Sequence, residues 1–143
     1  AYQAGTTETC FESVSTAPMV AVFAMRVWSM CEHHLLPFWC DIAIGYIAGE
    51  QVLGLSKFAR IAHQFAHRLQ LQERLCHQIA DEIAQIVHTQ DVAVLARGRH
   101  LCMEMRGIRT PGDMSSSVMR GLFREKSEAR LEFLHLVKEA THA

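Results

Sequence analysis

The sequence predicts an α+β fold in the order β-β-α-α-β-β, followed by a further helix at the C-terminal end. Two observations lead to this class. Stretches rich in β-branched and aromatic residues, several with two-residue alternation, occur near the start and again in the second half of the chain. Between them and at the end, apolar residues recur at the three- and four-residue spacing of a helix face. This order is typical of an antiparallel sheet with two antiparallel helices packed on one face.

Length and composition are those of one globular domain without a nucleic-acid or membrane partner. The chain has 143 residues, of which 50% are hydrophobic and 20% charged, with a formal net charge of −1. Such a charge gives no basic field for nucleic acid. The longest apolar run, residues 19–25, is far shorter than the roughly 18 residues of a membrane span. Five widely spaced cysteines beside nine histidines favour metal-binding thiols in a reducing compartment. We therefore expect a cytoplasmic protein.

The first half of the chain predicts two strands and two helices. Residues 1–18 are small and polar and are expected to form an N-terminal segment outside the domain, which would comprise residues 19–143. Residues 19–28 predict a strand that leads to a turn at Cys31, and residues 37–47 predict a second strand. Ser56 is a favourable N-cap for a helix that begins near Lys57. After a break at residues 69–70, a second helix is predicted from about 71 to 88.

The second half predicts two more strands and the closing helix. A strand is expected from residue 91 to 95 and onward through residues 100–106. Two-residue alternation on that strand would place His100, Cys102, Glu104 and Arg106 on one face. A turn at residues 109–113 leads to a returning strand over 114–123, and residues 127–138 predict the last helix.

Three residues suggest a metal centre. Cys31 and His34 are three residues apart, so a tight turn can direct a thiolate and an imidazole at one point, and Cys102 can add a second sulfur. Two cysteines and one histidine suit zinc, and a fourth position left to water is typical of a catalytic site. A structural zinc site is the alternative. His33 is then interpreted as an acid/base group, whereas the other cysteines (Cys10, Cys40 and Cys76) are expected to be small hydrophobic residues.

Six motifs extend this interpretation to a family. They are Ser29-Met-Cys-Glu-His-His34, Gly54-Leu-Ser-Lys57 with Arg60, Gln72-Glu-Arg-Leu75, His100-Leu-Cys-Met103, Met105-Arg-Gly-Ile108, and Ser117-Val-Met-Arg-Gly-Leu-Phe123. In order and spacing the chain closely resembles the GTP cyclohydrolase I family, zinc enzymes that open pteridine synthesis. The resemblance runs from about residue 11 to the C-terminus.

The resemblance implies the tunnelling fold, assembled as two face-to-face pentameric rings with an active site at each subunit junction. It implies zinc as cofactor and GTP as substrate, with formate and 7,8-dihydroneopterin triphosphate as products. The implied zinc ligands are Cys31, His34 and Cys102. The implied catalytic residues are His33 for proton transfer, His100 near the ribose, and Ser56. The implied substrate contacts are Glu73 with Gln72 for the guanine edge, and Lys57, Arg60 and Arg106, with Ser56, for the ribose and triphosphate.

Two alternatives to this function stay open, and the first follows from a departure from the family pattern. Relatives carry an N-terminal helical extension with a basic motif, and residues 1–18 resemble its tail. A short variant acting on a different purine nucleotide is therefore one alternative. The other is a catalytically silent assembly subunit that binds zinc and a purine, although the retained His33 disfavours it. Arg97 and Arg99, by alternation, are expected to face away from the metal, toward a subunit contact or solvent.

Overall fold

The structure, a computed structural model, describes residues 18–49, 53–105, 109–110 and 112–142, with the side chains of 140–142 left out. Its strands are β1 (Met19–Cys31), β2 (Pro37–Ile47), β3 (Leu69–Gln70), β4 (Val92–His100) and β5 (Asp113–Met119). Its helices are α1 (Leu55–Ala66), α2 (Gln72–Val87), α3 (Leu101–Met105), α4 (Leu122–Glu125) and α5 (Ser127–His142). The expected N-terminal segment lies outside the described residues, except for Pro18.

The strands form one sheet in the order β3-β1-β2-β4-β5. The pairs β1–β2, β2–β4 and β4–β5 are antiparallel. The short β3 runs parallel to β1, with Met30 opposite Leu69 and Cys31 opposite Gln70. The predicted α+β class is therefore confirmed, and the sheet is mixed because the break between α1 and α2 supplies a strand that the sequence did not predict.

Alternation along β2 builds a core on each face of the sheet. Ile42, Ile44 and Tyr46 are buried in the cluster that also contains the apolar faces of α1 and α2. Ala43 belongs to a second cluster, with Phe123 and Phe133. Since burying a large apolar side chain contributes about 1.5–3 kcal/mol, both faces add to stability. The helices α1 and α2 thus cover one face, as predicted, and α5 covers part of the other.

Three predicted boundaries are wrong. Helix α1 begins at Leu55 with Gly54 as its N-cap and no side-chain cap hydrogen bond, so Ser56 lies inside the first turn and is not the cap. The returning strand ends at Met119, and residues up to Phe123 belong to a turn and α4.

The third error concerns the strand predicted through residue 106. Strand β4 ends at His100, and Leu101–Met105 form the short helix α3. Leucine, methionine and glutamate are good helix formers, and five residues are too few for alternation to decide the matter. Cys102 and Glu104 therefore do not share a strand face with His100, and Arg106 lies outside the described residues.

Among the described residues, no helix has both the length and the apolar character required to cross a membrane.

Candidate metal centre

A tight hairpin loop between β1 and β2 presents the first two candidate ligands. Cys31 is the last residue of β1, and its N–H donates to the Leu36 carbonyl at 2.8 Å. The Leu35 N–H donates to the Cys31 carbonyl, also at 2.8 Å, and Leu35 has a φ of +55°. A leucine in this left-handed region is uncommon, which indicates that the loop is held in a specific conformation. His34 is thereby turned back over Cys31, with its Nδ1 3.7 Å from the Cys31 Sγ.

Two contacts attach this loop to β3 and to the first turn of α2. The Glu32 N–H donates to the Gln70 carbonyl at 2.9 Å. The Arg74 guanidinium donates to both oxygens of the Glu32 carboxylate, at 2.5 and 3.3 Å. This hydrogen-bonded pair lowers the pKa of Glu32 and raises the pKa of Arg74. The hairpin loop between β1 and β2 is therefore oriented in part by the helix that carries Glu73.

The third candidate ligand comes from the other side of β2. Cys102 lies in α3, directly after the end of β4, and α3 directs its sulfur toward the hairpin loop. The two sulfurs and a ring nitrogen of His34 all lie within 4.8 Å of one another. Tetrahedral zinc, with bonds of about 2.3 Å to sulfur and 2.0 Å to nitrogen, needs separations of about 3.5–3.8 Å. The donor set and its spacing fit zinc, with only a small contraction required.

His33 and His100 differ in their surroundings. His33 is exposed, and its ring lies edge-on to that of His34 with the ring centroids 6.3 Å apart. It is not part of the ligand group. His100 is 8% exposed and is stacked on Phe38, with ring centroids 4.4 Å apart and planes 2° from parallel. Burial lowers the pKa of His100, and the nearby charge of Glu73 opposes this effect.

The two residues expected to bind guanine occupy different environments. Glu73 is exposed in the first turn of α2. The Gln72 side chain is buried, and its Nε2 lies within hydrogen-bond distance of Met114 O, Ser116 Oγ and Ala96 O. The Gln72 Oε1 lies 2.7 Å from His100 Nε2. Glu73 is thus open to a ligand, whereas the Gln72 amide is engaged with protein groups.

The remaining predicted substrate contacts are either exposed on α1 or outside the described residues. Ser56, Lys57 and Arg60 are exposed on the first half of α1, and Arg106 lies outside the described residues. Arg97 and Arg99 lie on the opposite face of β4 from Gly98, as alternation predicts, with ion pairs to Asp113 at 3.7 Å and Glu104 at 2.9 Å. They line an open groove beneath the end of α5.

The sequence interpretation missed Phe38, Arg74 and Gly98. Each supports a site residue without carrying reactive chemistry, and no motif marks such a role. The only available signals were the position of Arg74 one turn into a predicted helix and that of Gly98 inside a predicted strand, where glycine often indicates a close approach.

Comparison with known proteins decides the family. The family described as GTP cyclohydrolase I matches residues 2–138, which is nearly the whole chain. The chain belongs to the GTP cyclohydrolase I family. It is 50% identical over 120 residues to GTP cyclohydrolase 1 1 of Pseudomonas syringae pv. tomato, an alignment covering 83% of this chain and 64% of that protein. It is 49% identical to GTP cyclohydrolase 1 of Methylococcus capsulatus, covering 83% of this chain and 65% of that protein.

A eukaryotic relative matches over the same share of the chain. GTP cyclohydrolase 1 of Drosophila melanogaster is 48% identical, and the alignment covers 83% of this chain and 37% of that protein. The chain therefore spans about two thirds or less of the length of these curated members of the GTP cyclohydrolase I family.

Two solved structures share the fold. The archaeosine synthase QueF-Like in its apo form has a TM-score of 0.56 and 18% identity, and the match covers 71% of this chain and 94% of that one. Dihydroneopterin aldolase of E. coli, in complex with neopterin, has a TM-score of 0.50 and 10% identity, covering 71% of this chain and 98% of that one. At these identities the likeness concerns the fold alone, and it confirms the tunnelling fold expected of a GTP cyclohydrolase I.

Proposed function

We propose that the protein hydrolyses the imidazole ring of GTP, releases formate and forms 7,8-dihydroneopterin triphosphate. The convergence of Cys31, His34 and Cys102 beside an exposed His33 is the observation that carries this proposal. Family membership supports it, because the relatives are named GTP cyclohydrolase 1. A purely structural zinc site would have no need of a solvent-accessible histidine next to one of its ligands.

The ligand group is proposed to hold zinc with an open fourth position. Two thiolates and one imidazole are ligands that zinc prefers, and a site with three protein ligands is typical of catalysis. Zinc bound there would supply Lewis acidity and lower the pKa of a water molecule. His33, which is exposed next to His34, would move protons to and from the purine during ring opening. A reducing compartment such as the cytoplasm would keep the two thiols available as ligands.

Recognition of guanine is proposed to rest on Glu73. Its carboxylate accepts two hydrogen bonds, and guanine presents a paired N1–H and N2–H donor edge. The exposed position of Glu73 on the first turn of α2, close enough to His100 to act on its pKa, supports this role. Lys57, Arg60 and Arg106 are proposed to bind the triphosphate, and Ser56 and His100 the ribose region.

A ring assembly is proposed from the outer strands of the sheet. In the described part of the chain, β5 pairs only with β4, and β1 pairs with β3 through only Met30 and Cys31. The free edges of β1 and β5 can pair with neighbouring copies and so extend the sheet from subunit to subunit. A decamer of two pentamers would satisfy these edges and place each active site at a subunit junction.

The test of this function is turnover by the zinc-loaded protein. Incubation with GTP should release formate and give a pterin that fluoresces after oxidation and dephosphorylation. His33→Ala should keep one zinc per chain and lose turnover by about 10²-fold or more, because general acid–base catalysis contributes about that much. His135→Ala, a change at an exposed histidine on α5, is the matched control and should keep full turnover.

Zinc content tests the ligand assignment separately. Cys102→Ser should lose zinc, whereas Cys40→Ala, a change at a buried core cysteine, should keep it. Full zinc in Cys102→Ser would show that the ligand set is wrong. Tight GTP binding without any formate would favour the silent assembly subunit.

A further inference from the structure

The orientation of the Gln72 amide follows from its neighbours. One end of the amide lies 2.9 Å from the Met114 carbonyl oxygen, 3.3 Å from the Ala96 carbonyl oxygen and 3.0 Å from Ser116 Oγ. Carbonyl oxygens accept hydrogen bonds and cannot donate them, so the amide nitrogen must occupy this end. The amide oxygen therefore faces His100.

This orientation selects one tautomer of His100. The Gln72 Oε1 lies 2.7 Å from His100 Nε2 and can only accept a hydrogen bond, so Nε2 must carry the hydrogen. In the neutral ring, Nδ1 is then left with a lone pair. The stack on Phe38, with planes 2° from parallel, fixes the plane of the same ring. His100 is thus held in one orientation and one tautomer.

Gly98 provides the space for this arrangement. A Cβ at position 98 would lie 2.5 Å from Gln72 Oε1 and 2.9 Å from the Trp39 carbonyl oxygen. Any larger residue would displace either the amide or the strand. The side chain of Gln72 can cross from α2 to β4 because the strand has a glycine at this position.

We propose that Gln72 is a positioning residue, which presents Nδ1 of His100 as a hydrogen-bond acceptor at the end of β4, and is not itself a side-chain contact to the purine. His100 is the last residue of β4, directly before the helix α3 that carries Cys102, so a ring fixed there offers a substrate group one defined hydrogen-bond acceptor. This role rests on the proposed function, and it differs from the guanine contact that the family resemblance implied for Gln72.

The experiment combines nitrogen NMR with kinetics on the zinc-loaded protein. Histidine labelled with ¹⁵N at both ring nitrogens reports the tautomer, and the His100→Asn spectrum identifies the His100 signals. Wild type should show the Nε2–H tautomer. Gln72→Met, of similar length but without hydrogen-bonding atoms, should show a mixture of tautomers. Its kcat should fall by about 10- to 100-fold with KM changed less than threefold, since a misplaced reacting group costs rate more than binding.

Ser116→Ala is the matched control. It removes one hydrogen bond from the Gln72 amide and leaves the bond to His100, so both tautomer and kcat should stay near wild type. Gly98→Ala displaces the same amide by a second route and should resemble Gln72→Met.

Three results would count against the inference or separate it from the proposed function. An Nδ1–H tautomer in wild type overturns the inference even if no variant folds. A raised KM with unchanged kcat in Gln72→Met overturns it as well, because that is the behaviour of a substrate contact. Absence of formate from wild type together with an Nε2–H tautomer overturns the proposed function and supports the assignment of Gln72.

Discussion

The four cysteines of the described residues should separate into two chemical classes. Burial, with smaller effects from Cys76 and Asp41, raises the pKa of Cys40 to about 12. Burial raises the pKa of Cys76 to about 11, although a hydrogen bond with Ser116 opposes the shift. At pH 8 about 10⁻⁴ of Cys40 and about 10⁻³ of Cys76 is thiolate, against about a quarter of an ordinary cysteine. Because the thiolate is the nucleophile, alkylation should be roughly 2,000-fold slower at Cys40 and 200-fold slower at Cys76 than at an ordinary exposed cysteine.

The assay is iodoacetamide labelling at pH 8, mapped by mass spectrometry in a Cys10→Ser background. Cys31 and Cys102 should be labelled in the zinc-free protein and protected when zinc is bound, since a coordinated thiolate is withdrawn from reaction. Cys40 and Cys76 should stay unlabelled in both states and react only after denaturation. Rapid labelling of Cys40 in the folded protein, or labelling of Cys102 that zinc does not change, would refute the division into ligand and core thiols.

Two further predictions concern the packing and the hairpin loop between β1 and β2. Gly45→Ala would bring a Cβ to 2.5 Å from the Phe133 ring. The change should lower the free energy of unfolding by about 1–3 kcal/mol and Tm by roughly 3–10 °C, as measured by calorimetry. Gly49→Ala, where a Cβ would have nothing within 4 Å, is the control and should change Tm little. Pairing with Arg74 lowers the pKa of Glu32 in the folded protein below its value of about 4.5 in the unfolded chain. The pair therefore stabilises the folded protein at pH values above 4.5, and this stabilisation is lost as the pH falls through the lower, folded-state pKa. Urea unfolding of zinc-free wild type and Arg74→Met should therefore differ at neutral pH and converge in acid, and a pH-independent difference would contradict the role of the pair.

The regular elements were predictable because burial repeats along them. The buried residues Ile42, Ile44 and Tyr46 alternate on β2, and apolar residues recur at helical spacing on α2. Each pattern predicts both the type of element and the face that is buried. The two-residue strand β3 and the five-residue helix α3 are too short for a repeating apolar pattern to identify them. Their conformation is decided by tertiary contacts, such as the pairing of Gln70 with Cys31, that no local pattern contains.

In the site, the candidate metal ligands were predictable, but the groups that position other site residues were not. Cys31, His34 and Cys102 were predictable as a group, because few residue types bind zinc and the family motifs contain them. The partners of the Gln72 amide were not predictable. Two of them are carbonyl groups of β4 and β5, whose positions depend on strand register and not on side-chain identity. The need for glycine at position 98 becomes clear only from the position of the Gln72 side chain, which passes over it.

The two sulfurs of the candidate metal centre come from segments on either side of β2. Strand β2 pairs with β1 on one side and with β4 on the other along nearly its whole length, so backbone hydrogen bonds join the segments that lead to Cys31 and Cys102. Small zinc domains, in contrast, are unfolded until the metal arrives. If the proposed zinc site is correct, we therefore expect metal supply to govern how many molecules are active and not how many are folded.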